Sequence, residues 1–453
     1  MREMLNRFGR DGTIAVRLSV LAFLVFNANL RSITSLDTYA TRVLPISIIR
    51  EGNLNLDEFP FLHEYPKWLR SAEYREAYWV RQTRGHYMSN YPVMPAILSV
   101  PVYVVPVLLG LTEGPSSIGY TRTEIVATLL SKIAASAAVA LSVGVIYLTL
   151  LRLTSRTGAL WVALVYAFAT GSWSSSSQGL WSTAWSQPLL ALTFYCFVRA
   201  RQEPRFVIYG GIPLALSAAC RPPVIIFAAV FFLYVVTCHR RHALRFLLVP
   251  AIVGGLLVAY NLYYFENLVG GYTALGIGTE LGAPRLKALL GLLISPSRGM
   301  LSYSPILLFA CAGMGAVMRP PRDSVMVTIS VATVLTLIFY SSWIWWFGAS
   351  SYGYRFLVDL LPGLCLFLGI GWSWVAAQRW RIGLFLVTAV FSVFIQVIGA
   401  FFFPCGWYDF SAGQAPEHQE HFWDWKDPEW LRCLKAGPVE PDGVRFLRSA
   451  PGK

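Results

Sequence analysis

The residues that stand out chemically in this largely apolar chain are one carboxylate and a set of arginines at the ends of hydrophobic runs. Asp37 lies in "SITSLDTYATRVLP", just past the first long apolar segment, with Arg42 five residues on. Arg221 follows in "ACRPPV", Glu266 in "YNLYYFENLVGGY", Arg298 in "LISPSRGMLSYSP", and Arg355 with Asp359 in "WWFGASSYGYRFLVDLLP". Ionisable groups at membrane depth are costly and usually face a protein interior or an aqueous cavity. A guanidinium clamps two phosphate oxygens at once and keeps its charge in a low dielectric, so Arg221, Arg298 and Arg355 around one cavity suit an anionic lipid head. Asp37 could then take a proton from an acceptor hydroxyl while the arginines stabilise a departing phosphate, as glycosyl transfer by inversion requires. The competing reading leaves Asp37 solvated and the arginines snorkelling to the interface, or pairs Arg355 with Asp359 one helical turn later.

Other polar groups could join this site. Glu51 in "REGNLNLDEF" and Asp57 are further acidic candidates, and Arg42 and Tyr91 are polar ones. Asp37 with Glu51 or Asp57 could supply oxygen ligands to a divalent cation, but metal-free catalysis without a cofactor is the preferred expectation. Trp343, Trp346, Tyr352 and Tyr354 run up to Arg355. Their flat faces could stack on a sugar ring or form an interfacial belt, and the interleaved glycines and serines of "FGASSYGYR" favour a binding loop. No Ser-His-Asp order, phosphate-binding glycine loop or HExxH motif is present.

The elements that must carry these residues are membrane helices. The 453 residues are 55% hydrophobic and 13% charged, with a mean hydropathy of +0.53. The net charge of +13 sits in short arginine clusters between apolar runs, which argues for the positive-inside bias and against nucleic acid. About eleven runs can cross a ~30 Å hydrocarbon core, at 13–30, 125–151, 158–172, 184–199, 206–220, 223–237, 246–264, 300–318, 325–342, 355–377 and 382–403. The expected architecture is an all-α polytopic membrane domain over 1–403, followed by a small extracytoplasmic tail over 404–453.

With the N-terminus in the cytoplasm, the loops holding Arg152 and Arg156, Arg199 to Arg205, "CHRRHALR", "MRPPRD" and "QRWR" all fall on the inner side. This requires the proline-rich segment 91–110 to be interfacial or re-entrant; a kinked span is the rival reading. The outer regions are then 31–124, 265–299 and the tail. In the first of these, "HEYPKWLRSAEYREAYWVRQTRGHY" fits amphipathic surface helices. Cys405 and Cys433, in the tail, are either a disulfide or two free thiols.

In order along the chain, the Asp after the first span, the "YP-x-x-P" segment at Tyr91, "RP" at Arg221, "YN-x-x-x-F" with "GY", "LISPSRGMLSYSP" and "SYGYRFLVDLLP" resemble the GT-C superfamily of membrane glycosyltransferases. The likeness is to bacterial protein O-mannosyltransferases and aminoarabinose transferases. It implies a bacterial inner-membrane enzyme that passes a sugar from a polyprenyl-phosphate carrier to an extracytoplasmic acceptor, whether protein, glycolipid or polysaccharide. Within it, Asp37 takes the place of the catalytic base. The sequence departs from the pattern where relatives read K-Y-P-P-G: here stand Asn90, Tyr91, Pro92, Val93 and Met94, without the lysine. A flippase for an anionic lipid, which would use the same arginines but usually carries an internal repeat not visible here, and a non-catalytic envelope scaffold, in which Asp37 would be dispensable, are the alternatives.

Overall fold

The computed structural model describes residues 2–63, 77–114, 120–275, 281–348, 351–405 and 419–442. Its helices are α1 (Arg2–Asn27), α2 (Tyr39–Arg50), α3 (Met94–Leu108), α4 (Arg122–Leu150), α5 (Arg156–Phe168), α6 (Ser182–Ala200), α7 (Phe206–Cys220), α8 (Ile225–Cys238), α9 (Ala243–Phe265), α10 (Leu286–Ile294), α11 (Met300–Tyr303), α12 (Leu308–Val317), α13 (Ser324–Ser341), α14 (Leu361–Ile370), α15 (Trp372–Ala376), α16 (Arg379–Phe401) and α17 (Glu429–Ala436). Every apolar run marked in the sequence holds helical structure. Among the described residues, four helices are long and apolar enough to cross a membrane: Arg122–Leu150, Arg240–Phe265, Ser324–Ser341 and Arg379–Phe401. Several others, among them α5, α7 and α12, are shorter apolar helices. Outward-facing Leu244, Leu248, Ile252, Leu256, Val387 and Val390 are exposed, as a lipid-facing surface requires. This is an integral membrane protein.

One end of the bundle gathers the basic loops. Arg156 pairs with Asp11 of α1, Arg152 donates to Gln202 at 2.8 Å, and Arg201 pairs with Asp323 ahead of α13. At the opposite end the first long loop builds a cap with its own apolar core, in which Tyr39, Val43, Leu44, Trp79, Ala96 and Tyr103 pack on Ala127 and Leu130 of α4. Thr121 and Glu124 cap α4 reciprocally, and the other oxygen of Glu124 accepts the Tyr39 hydroxyl. That bond ties α2, the helix following Asp37, to the bundle.

The cap differs from the expectation of surface helices throughout. Residues 64–76 lie outside the described residues, but the end of that aromatic stretch is a β-hairpin. Strand β1 (Val80–Thr83) pairs antiparallel with β2 (His86–Ser89), with Thr83 opposite His86. Its two-residue turn, Arg84 and Gly85, takes positive φ at both positions, the geometry that matches strand twist in tight hairpins. The proline-rich segment forms α3, continuous through Pro101 and Pro106. At fifteen residues α3 is about 22 Å long, short of a ~30 Å core. It packs on α2 through Tyr103, whose hydroxyl reaches the Arg42 and Ala127 carbonyls.

Candidate active site between the cap and the bundle

The chain leaves α1 in extended form and is pinned to the bundle before it reaches Asp37. Ile33 N–H donates to the Gln178 carbonyl at 2.8 Å, and the Trp181 indole N–H donates to the Ile33 carbonyl at 3.1 Å. Ser35 then caps a 3₁₀ turn, Leu36–Thr38, by accepting the Asp37 N–H at 3.1 Å. This fixes the backbone of Asp37 at the start of α2, with its side chain 24% exposed.

Both Asp37 oxygens are engaged. Tyr78, which precedes β1, donates its hydroxyl to Oδ1 at 2.8 Å. Arg355 Nη1 donates to Oδ2 at 3.0 Å, while Arg355 Nη2 reaches the Gly348 carbonyl at 3.2 Å. The guanidinium lies 4.3 Å from the Trp181 ring centroid, a cation–π contact that orients it. Tyr91 borders the same carboxylate. Burial, followed by the charge of Asp37, pushes its hydroxyl well above the ordinary tyrosine range, so it stays protonated. Tyr272 meets Tyr91 edge to face at 5.9 Å; its own hydroxyl is raised by burial, with Arg221, Tyr340, Asp37 and Arg355 as its charged and phenolic neighbours.

Arg221 stands beside this group in a second ion pair. It bonds Asp359 at 2.9 Å, the Tyr340 hydroxyl at 2.7 Å and the Phe356 carbonyl at 3.2 Å. The helical pairing of Arg355 with Asp359 is therefore not formed: Asp359 belongs to Arg221 and Ser186, and Arg355 belongs to Asp37. Arg298 is brought elsewhere. It is 1% exposed and bonds Glu429 of the tail at 2.5 Å, together with the Ser297 carbonyl.

Three of the four aromatic residues expected as sugar platforms serve packing instead. Trp346 is buried and donates to Gln419; Tyr352 is buried with its hydroxyl on the Ile395 carbonyl; Tyr354 accepts from Gly171 N–H and shares a hydrogen bond with Ser304. Trp343 is half-buried and stacks on Phe356 at 5.0 Å. Glu51 is exposed at the far end of α2, roughly 18 Å of helix from Asp37. Asp57 accepts from Tyr87 N–H at 2.7 Å and bonds His86 at 2.6 Å, so it organises the hairpin. Among the described residues no group of three or more acidic, histidine or cysteine side chains is placed to hold a metal ion.

Arg42, on α2, lies 4.4 Å over the Tyr39 ring with Nη1 on Thr34, has Tyr39, Glu124 and Tyr103 rather than Asp37 as its electrostatic neighbours, and among the described residues has no carboxylate at ion-pair distance. Asn90, where the resembled pattern carries a lysine, does a structural job: its amide donates to the Tyr78 carbonyl at 2.8 Å, which holds the turn carrying Tyr78 just ahead of β1. Tyr78, Trp181 and Tyr340 were not legible as site residues, since each is one aromatic among many. Tyr272 had a signal in the "GGY" of its motif.

No family model matches the sequence, and no curated protein matches it. Solved structures do. The crystal structure of ArnT from Cupriavidus metallidurans bound to undecaprenyl phosphate aligns over 85% of this chain and 69% of its own, at TM-score 0.51 and 9% identity. The archaeal oligosaccharyltransferase AglB from Archaeoglobus fulgidus, in complex with an inhibitory peptide and a dolichol-phosphate, aligns over 85% of this chain at TM-score 0.50 and 12% identity. The chain spans 55% of the length of AglB. At these identities the likeness is one of fold, shared with the two solved proteins over most of this chain.

Proposed function

We propose, on the premise of this GT-C fold, that the chain transfers a sugar from a polyprenyl-phosphate-linked donor to an acceptor on the extracytoplasmic side of the membrane. The observation that carries the reading is the pairing of Asp37, 24% exposed, with Arg355 where the cap meets the bundle. It sets a proton acceptor beside a bidentate cation. Both solved relatives hold a polyprenyl or dolichol phosphate, which is the donor chemistry this pair suits.

In the proposed reaction an acceptor oxygen attacks the anomeric carbon of the donor. The bond from that carbon to the phosphate oxygen breaks, its electron pair leaves on the phosphate, and configuration inverts. Asp37 takes the acceptor proton, and Tyr78 donates to its other oxygen and so orients the carboxylate. Arg355 and Arg221 stabilise the phosphate as negative charge builds on it, with no metal or cofactor in the scheme. Tyr78, Tyr91 and Tyr272 replace the Trp343 to Tyr354 run as the wall against which a sugar ring would lie.

The test is release of polyprenyl phosphate from a panel of lipid-linked sugars by the purified protein, with envelope material as acceptor. Turnover by the wild type that falls roughly 10²–10⁴-fold in Asp37→Asn, the range expected for loss of a general base, supports the reading. Absence of release from the whole panel, with the protein folded, overturns it and leaves lipid transport or scaffolding.

A further inference from the structure

Three buried or half-buried ion pairs converge on the short stretch 353–359. Arg355 meets Asp37 and Asp359 meets Arg221; the third pair acts on its backbone. Glu429 of α17, fully buried, collects three donors on Oε2: Arg298 Nη1 at 2.5 Å, the Tyr303 hydroxyl at 3.1 Å and Gly353 N–H at 3.1 Å. Gly353 has φ +60 and an added Cβ would strike the Tyr303 ring, so this backbone is held in a conformation with little freedom. Two residues later stands Arg355.

The tail grips the preceding part of the same segment as well. Gln419 accepts from the Trp346 indole at 2.8 Å, and Phe422 stacks on Phe347 at 4.6 Å while its carbonyl accepts from Ser295. Four residues after Glu429, on the same face of α17, Cys433 is fully buried in a disulfide with Cys405, which follows α16. The crosslink fastens α17 to the bundle at the turn that carries Glu429. Burying a carboxylate and a guanidinium together is costly and makes a weak general stabiliser, so a buried pair whose carboxylate also bonds the backbone of the Arg355 segment calls for a more local role.

We propose that the C-terminal tail is a strap and Glu429 a positioning residue for Arg355, with the Cys405–Cys433 disulfide keeping Glu429 seated. Through Gly353 the strap sets where the Arg355 guanidinium stands, and so how well the donor phosphate is held. That last step rests on the proposed donor chemistry; the control of the 351–360 segment by the tail does not.

The experiment uses the full-length protein in detergent as wild type, Glu429→Gln, and the double variant Cys405→Ala with Cys433→Ala. The double variant leaves the Arg298–Glu429 pair intact, and so stays informative if Glu429→Gln fails to fold around an unpaired Arg298. Amide hydrogen exchange is followed across the chain, and steady-state turnover is measured with a polyprenyl-phosphate sugar. The expected result is at least tenfold faster exchange in peptides covering 351–360 in both folded variants, with α4 and α6 unchanged. The donor KM should rise about tenfold while kcat stays within about threefold. Unchanged exchange at 351–360 in the double variant overturns the strap. Faster exchange with an unchanged donor KM overturns the positioning of Arg355. If the wild type shows no turnover at all, the proposed reaction falls, and the exchange data alone still decide whether the tail controls the segment.

Discussion

At the scale of single residues the site depends on who pairs with whom. Spacing alone suggested that Arg355 would meet Asp359 four residues later, as on an α-helix. Residues Arg355–Leu360 instead wind as a 3₁₀ helix, and at three residues per turn positions i and i+4 point about 120° apart. Arg355 thereby turns to Asp37, 318 residues away in sequence. Arg355→Lys keeps the charge but loses the fork that spans Asp37 and Gly348; kcat/KM is expected to drop on the order of 10–100-fold, the worth of one charge-assisted hydrogen bond. Asp359→Ala leaves Arg221 charged and buried without its partner. It should cost about 3–5 kcal/mol, read as a fall in the thermal unfolding midpoint in detergent. Asp37→Asn, at a partly exposed carboxylate, should unfold within a few degrees of wild type. Asp37 was legible because a carboxylate after an apolar run is rare; its partners were not, because pairing across hundreds of residues leaves no local pattern. The same holds for Arg298, whose partner Glu429 sits in a polar tail without periodicity.

At the scale of elements, hydrophobic runs identified the helices because burial in lipid or core demands continuous apolar sequence. The cap was harder to read. Its hairpin is short and mixes charge with aromatics, so its alternation resembled an amphipathic helix, and the Arg84–Gly85 turn was the one local sign of it. The turn Gly270–Leu275 shows how close the elements stand: a Cβ on Gly271 would lie 2.4 Å from the Asn90 Cα, a backbone atom that cannot swing aside. Gly271→Ala should therefore push Tyr272 away from Tyr91 and destabilise the cap by about 1–3 kcal/mol, the usual cost of overpacking. The measurement is thermal unfolding together with donor-dependent turnover. Equal turnover and an equal midpoint would show that the two loops separate freely and that the tyrosine wall is not fixed.

At the scale of the whole molecule, charge separates the two ends. The arginine loops meet one another through Asp11, Gln202 and Asp323, while Asp37, Arg221 and Arg355 stand at the other end. With the arginine end cytoplasmic, a membrane-impermeant maleimide added to intact cells should label a cysteine placed at Glu51, in a background lacking Cys238 and Cys311. A cysteine at Arg241 should react only after the membrane is opened. Labelling from outside at Arg241 and not at Glu51 would invert the arrangement and overturn an extracytoplasmic acceptor.

The tail comes back to where the chain first left the bundle: Asp442 accepts from Ser32 N–H at 2.7 Å and donates its own N–H to the Leu30 carbonyl. Together with the bond between Asp37 and Arg355, this has a consequence for biosynthesis. A ribosome threading the chain into the membrane has released Asp37 hundreds of codons before its arginine exists, and the closing contact at Ser32 waits for almost the last residues described. On the proposed chemistry, the paired site can therefore form only after the chain has been made through Arg355, and its tie to the tail forms later still.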